Sequence, residues 1–138
     1  MKFVTYNLYE GAQPRFGFKK NEYIIDIVRA SIWIKKDQED TSFLEIPSEL
    51  KLALENWNFN FKKLKELYKA IPDDDLDSLF ANGKPIAALE KDVNLFPPVI
   101  NPQSFRDFYA FEQHVRAARK LRGLEMHPDW FKIPIFYF

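Results

Sequence analysis

Near its start the chain alternates apolar with polar positions, and in its middle apolar residues recur at helical spacing. Residues 2–9 (KFVTYNLY) are rich in β-branched and aromatic side chains and predict a strand. A turn over residues 10–14 leads to a second short strand at 15–19 (RFGFK). Lys20-Asn21 then turns into a third strand at 22–28 (EYIIDIV), completing an antiparallel meander. Residues 29–36 predict a helix and residues 37–42 a polar loop. Residues 47–56 predict a helix with Pro47 in its first turn. Residues 59–70 predict another, with apolar positions at 61, 64, 67, 68 and 71. Asp73-Asp74-Asp75 precede Leu76, Leu79 and Phe80 and predict a short helix with an acidic start, stopped at Asn82-Gly83. Metal binding is the alternative for that triplet. A strand at 93–96 runs into Pro97, Pro98 and Pro102, a stiff connector that divides residues 1–98 from residues 99–138.

The pattern changes after the prolines. Residues 104–121 predict a helix ended by Gly123, with Ser104 and Asp107 at capping-box spacing. Within such a helix His114 follows Asp107 by two turns on the same face, ~10 Å further along the axis. That distance prevents a hydrogen bond but suits opposite ends of a small substrate. Tyr109 would point away from both unless the helix begins after Asp107. Against a catalytic role, a lone helical histidine is usually structural or solvated, and Asp107 is equally suited to capping. His127 falls in a turn, and the two histidines lack zinc-ligand spacing. Arg116, Arg119, Lys120 and Arg122 read as a solvated helix end, with phosphate or carboxylate binding as alternatives. Residues 133–138 (IPIFYF) predict an apolar strand without a polar tail. Such a strand pairs upstream, pairs across an oligomer interface, or belongs to a fragment of a larger domain; the fragment reading is favoured.

Composition narrows the function classes. The 138 residues are 46% hydrophobic and 17% aromatic, enough for a packed core and too apolar for general disorder. Twenty basic and twenty acidic side chains cancel, which argues against nucleic acid or an anionic membrane as partner. Residues 1–36 carry +4, residues 37–104 carry −6 and residues 105–138 carry +2. Nine of the 23 aromatic residues fall in the last 34 positions, which sets that segment apart. Cysteine is absent, removing disulfides, thiolate zinc sites and thiol catalysis. No apolar run reaches the ~20 residues of a membrane helix, and no targeting segment is visible, so a cytoplasmic protein is expected.

The stretch RDFYAFEQHVRAARKLRGLEMHPDWFKIPIFYF resembles the opening of the catalytic domain of the fumarylacetoacetate hydrolase family. Residues 93–102 resemble the strand and prolines leading into that domain, and Met1–Tyr6, Arg15-Phe16-Gly17 and Ile25-Asp26 resemble its small leading β domain. The resemblance implies an α+β chain: an antiparallel N-terminal β domain with a helical insertion, then the first helix and strand of a mainly-β catalytic domain, incomplete. It implies that Asp107 ligates a divalent cation (magnesium, calcium or manganese). It also implies that His114 activates water and that Tyr109 and Tyr137 contact substrate. Arg122 lies one position from a family arginine that binds substrate carboxylate. The implied reaction is hydrolytic C–C cleavage of a β-diketo or 2-oxo acid, and the implied complete protein is a homodimer. The family's other ligands, a Glu-x-Glu pair and an Asp, and its Glu, Gln and Lys catalytic partners do not occur after this motif. The 138 residues are therefore expected to be inactive alone. A binding or assembly module, or a decarboxylase, isomerase or hydratase, are the competing readings.

Overall fold

The computed structural model describes residues 1–38 and 42–137. It combines helices with antiparallel sheet, an α+β arrangement, and divides into two compact units, residues 1–101 and residues 102–138. The strands of the first unit are β1 (Lys2–Asn7), β2 (Arg15–Lys20), β3 (Tyr23–Asp26), β4 (Phe80–Ala81), β5 (Lys84–Pro85), β6 (Ala87–Leu89) and β7 (Asn94–Phe96). Its helices are α1 (Ile27–Gln38), α2 (Leu50–Glu55) and α3 (Trp57–Ala70). Five strands form one antiparallel sheet in the order β6-β3-β2-β1-β7, and β4 and β5 form a separate hairpin.

The meander forms as the alternation predicts, with Phe3 opposite Phe18, Val4 opposite Gly17 and Phe18 opposite Ile25. Gly17 is required there: a Cβ would lie 2.7 Å from the Ile25 carbonyl oxygen and 3.0 Å from a Tyr6 ring carbon. The third strand ends at Asp26, two residues short of the expected limit, because Asp26 caps α1. Its backbone N–H bonds the Ile86 carbonyl at 2.8 Å, and its Oδ1 accepts from the Arg29 N–H at 2.8 Å. Helix α1 runs on through Gln38, into the expected loop, whose residues 39–41 lie outside the described residues.

The core gathers Phe16, Phe18 and Ile25 of the sheet, Ile27, Ala30 and Ile34 of α1, and Leu64 and Leu67 of α3. Trp57 stacks on Phe61 at 4.9 Å and meets Phe3 edge-on at 5.5 Å, fixing α3 to the end of β1. Lys20 is almost fully buried and serves the C-terminal end of α3. Its Nζ donates to the carbonyls of Ile71 and of Tyr68 (3.1 Å) and pairs with Asp73 at 3.2 Å. The acidic triplet thus places Asp73 on Lys20. Asp75 adopts φ 53 ahead of a 3₁₀ turn at Leu76–Ser78, without capping through its side chain. Asn82-Gly83 is not a helix stop. With φ 51 and 74 the pair makes the two-residue turn between Ala81 and Lys84, as a type I′ hairpin requires.

Residues 102–137 hold β8 (Asp107–Phe108), α4 (Glu112–Leu121), a 3₁₀ turn at Pro128–Phe131 and β9 (Phe136–Tyr137). The expected helix from residue 104 starts eight residues late. Phe105, Phe108, Tyr109 and Phe111 are poor helix formers, and residues 107–108 are claimed by pairing with β9. The capping box is absent, and the Ser104 hydroxyl instead accepts from Arg106 at 3.1 Å. The far end of α4 is as expected: Gly123 at φ 70 donates to Lys120 and Leu124 to Arg119, a Schellman closure. The apolar strand at 133–138 is shorter than expected, and its partner is the upstream β8; Phe138 lies outside the described residues.

Candidate functional site

The five residues singled out in the sequence all lie in the second unit. Asp107 is in β8 rather than in a helix, so its expected two-turn relation to His114 does not hold. Instead the β8–β9 ladder continues past Phe108, where the Tyr109 N–H donates to the Ile135 carbonyl at 3.1 Å. There the Ala110 N–H turns back to the Phe108 carbonyl at 2.8 Å, so the extended backbone ends at Tyr109. The helix begins only at Glu112, after Asp107, which is the condition under which Asp107 and Tyr109 can both serve one site.

His114 is the third residue of α4. The rings of Tyr109 and His114 meet edge-on, with centroids 5.7 Å apart and planes at 86°. Such a T-shaped contact holds the imidazole in place without using its nitrogens. Asp107 and His114 are exposed, and Tyr109 is partly buried. Tyr137 lies opposite Asp107 in the strand register. Its side chain lies outside what the structure describes. Arg122 caps the other end of α4, eight residues and ~12 Å of helix from His114, and is not brought to the group.

Trp130 has a positioning role that the sequence did not indicate. Its indole N–H donates to the Tyr109 carbonyl at 3.0 Å, tying the 3₁₀ turn to the end of β8. That turn is capped by His127, whose Nδ1 accepts from the Asp129 N–H at 3.2 Å, so His127 has a local structural task. Arg106 lies 5.8 Å from the Phe136 ring centroid, a cation–π contact across the two-stranded ladder. Within the basic run, Arg116 pairs with Glu112 one turn away, and Arg119 donates to the Glu125 carbonyl.

Among the described residues no three histidine or acidic side chains converge as a metal site. No described helix is long and apolar enough to cross a membrane. Among the described residues of this unit nine large apolar side chains are exposed, including Phe105 (72%), Phe111 (82%) and Leu121 (89%). No known protein family, curated protein or solved structure matches the chain.

Proposed function

We propose that residues 102–137 contribute part of the active site of a hydrolase that cleaves a C–C bond of a β-diketo or 2-oxo acid, as the likeness to the fumarylacetoacetate hydrolase family implies. The observation that carries this reading is the edge-on seating of His114 against Tyr109, two residues along the chain from Asp107. An imidazole titrates near neutrality and can take a proton from water. The hydroxide adds to a substrate carbonyl carbon. The adjacent C–C bond then breaks, its electron pair leaves as an enolate, and the enolate is protonated on release. The hydroxyl of Tyr109 is suited to donating to a substrate oxygen.

The described residues do not fit a divalent cation on their own. Such ions take about six to eight oxygen ligands, and Asp107 is a single carboxylate without an acidic or imidazole cluster around it. The reading therefore requires carboxylates from further polypeptide, with Asp107 as one ligand among several. The exposed apolar side chains of this unit, among them Phe105, Phe111 and Leu121, support such a covering segment. On this account the chain is one part of a cytoplasmic, dimeric enzyme whose catalytic domain begins near the prolines.

The test is to read the gene past the codon for Phe138 and assay the complete protein on acylpyruvates by loss of enol absorbance. The expected frame encodes Glu-x-Glu and a later Asp. His114→Ala is expected to lower kcat by about 10²-fold or more while metal binding persists. Asp107→Ala is expected to weaken metal affinity by about tenfold or more. A stop codon directly after Phe138, or full activity in His114→Ala, removes the hydrolase reading. A stop codon would leave the exposed apolar surface as the argument for an assembly module. Decarboxylated or isomerised product would move the protein to another reaction type.

A further inference from the structure

Arg15 stands where two depressions on residues 1–101 meet. One has a volume of about 200 Å³ and is lined by Gln13, Leu50, Lys51 and Ile100. The other, about 260 Å³, reaches Asp26 and Val28. Behind Arg15 lies a polar cluster with every oxygen engaged. Asp26 is buried; its Oδ2 accepts from the Tyr6 hydroxyl at 2.9 Å and from the Nε of Arg15. Its Oδ1 accepts from the Arg29 N–H. A guanidinium has five N–H donors. Nε serves the carboxylate, and about a third of the side chain (32%) remains open at the cleft. Arg15 is therefore fixed from behind and still has donors to offer.

The cleft complements this arginine. Lys51 lines the same depression and is held there by the Asn101 carbonyl at 3.0 Å, which uses one of its three N–H groups. Leu50, Phe16, Ile100 and Pro14 supply apolar wall. Glu49 lines both depressions. At about 200 Å³ and open to solvent, the depression admits a small organic acid.

We propose that this cleft binds a small monocarboxylate, its head on Arg15 and Lys51 and its short apolar body against Leu50 and Ile100. Preorganisation favours this role: the planar fork of arginine pairs with a carboxylate through two bonds, and Asp26 has already frozen its rotamers. The proposal concerns residues 1–101 alone and stands whether or not the hydrolase reading holds.

The experiment is a titration of the ¹⁵N-labelled chain with sodium hexanoate, followed by amide chemical shifts. Saturable shifts confined to Arg15, Phe16 and residues 48–51 are expected. Arg15→Lys keeps a cation on Asp26 but loses the fork, and is expected to weaken binding by about tenfold. Lys51→Gln, at a partly exposed position, is expected to weaken it by about threefold or more. Hexylammonium should not bind, and inorganic phosphate should bind more weakly than hexanoate. Shifts that stay linear or spread over the surface overturn the proposal. So does Lys51→Gln titrating like the parent, which decides the matter even if Arg15→Lys fails to fold. Phosphate binding as tightly as hexanoate overturns the monocarboxylate assignment.

Discussion

Asp26 shows how much one side chain can organise. It ends β3, caps α1 and collects the Tyr6 hydroxyl and the Arg15 guanidinium. Burial, reinforced by the negative charge of Asp26, raises the Tyr6 hydroxyl well above its ordinary value of 10.0. The hydrogen bond to Asp26 raises Arg15 as well. The folded state thus holds the Tyr6 proton more tightly than the unfolded state does. The stabilisation from Tyr6 is complete below pH 10 and is lost as pH climbs from there toward the folded value. Tyr6→Phe removes a donor from a buried carboxylate and is expected to cost about 1–3 kcal/mol at neutral pH. It also removes the alkaline loss. The stability gap between parent and variant, read by urea denaturation, should therefore narrow by about 1 kcal/mol between about pH 9 and about pH 11. A gap that stays constant over that interval would mean that the Tyr6 proton is not what the fold protects.

At the scale of elements, two glycines separate packing from backbone conformation. Gly17→Ala drives a Cβ to 2.7 Å from a carbonyl oxygen, in a strand paired on both sides that cannot yield. A loss of about 2–3 kcal/mol is expected. Gly83→Ala meets no atom within 4 Å and bears only its φ of 74, for about 1 kcal/mol. Thermal midpoints should fall in that order, and the reverse order would contradict the close approach at Gly17. The same elements explain what could be read in advance. Strands β1 to β3 and helix α3 were legible because their periodicity is carried by their own residues, whereas α2 begins at Leu50, three residues after the Pro47 that marked its expected first turn. The β4–β5 hairpin was not, since two-residue strands have no alternation to display and Asn82-Gly83 equally suits a helix end. Strand β6 (Ala87–Leu89) has no strong strand pattern either, and owes its conformation to the open edge of β3. At Asp107 the local spacing argued for a helix. The winning interaction came from residues 136–137, some thirty positions away, which no local window contains. The resemblance singled out Asp107, Tyr109 and His114, but only the structure shows that the helix starts after the first two.

The two units of the molecule differ in how they are held. Residues 1–101 contain the entire apolar core cluster, from Phe16 to Ala87, and Thr5 ties β1 to the proline segment through the Pro98 carbonyl. In residues 102–137, Val115 is the only large apolar side chain that is fully buried among the described residues. Segments below about 40 residues seldom fold without a metal, a disulfide or a partner. The first unit should therefore unfold as one cooperative body, whereas the second should open at far lower cost unless further polypeptide covers it. Hydrogen exchange on the intact chain tests this directly. Amides of β1, β2, β3, α1 and α3 are expected to exchange only through global unfolding, and those of α4 at least about 10²-fold faster, a difference of about 2.7 kcal/mol. A chain cut after Asn101 should keep the cooperative transition of the parent within about 5 °C. Equal protection in α4 would show instead that residues 102–137 are held as firmly as the first unit.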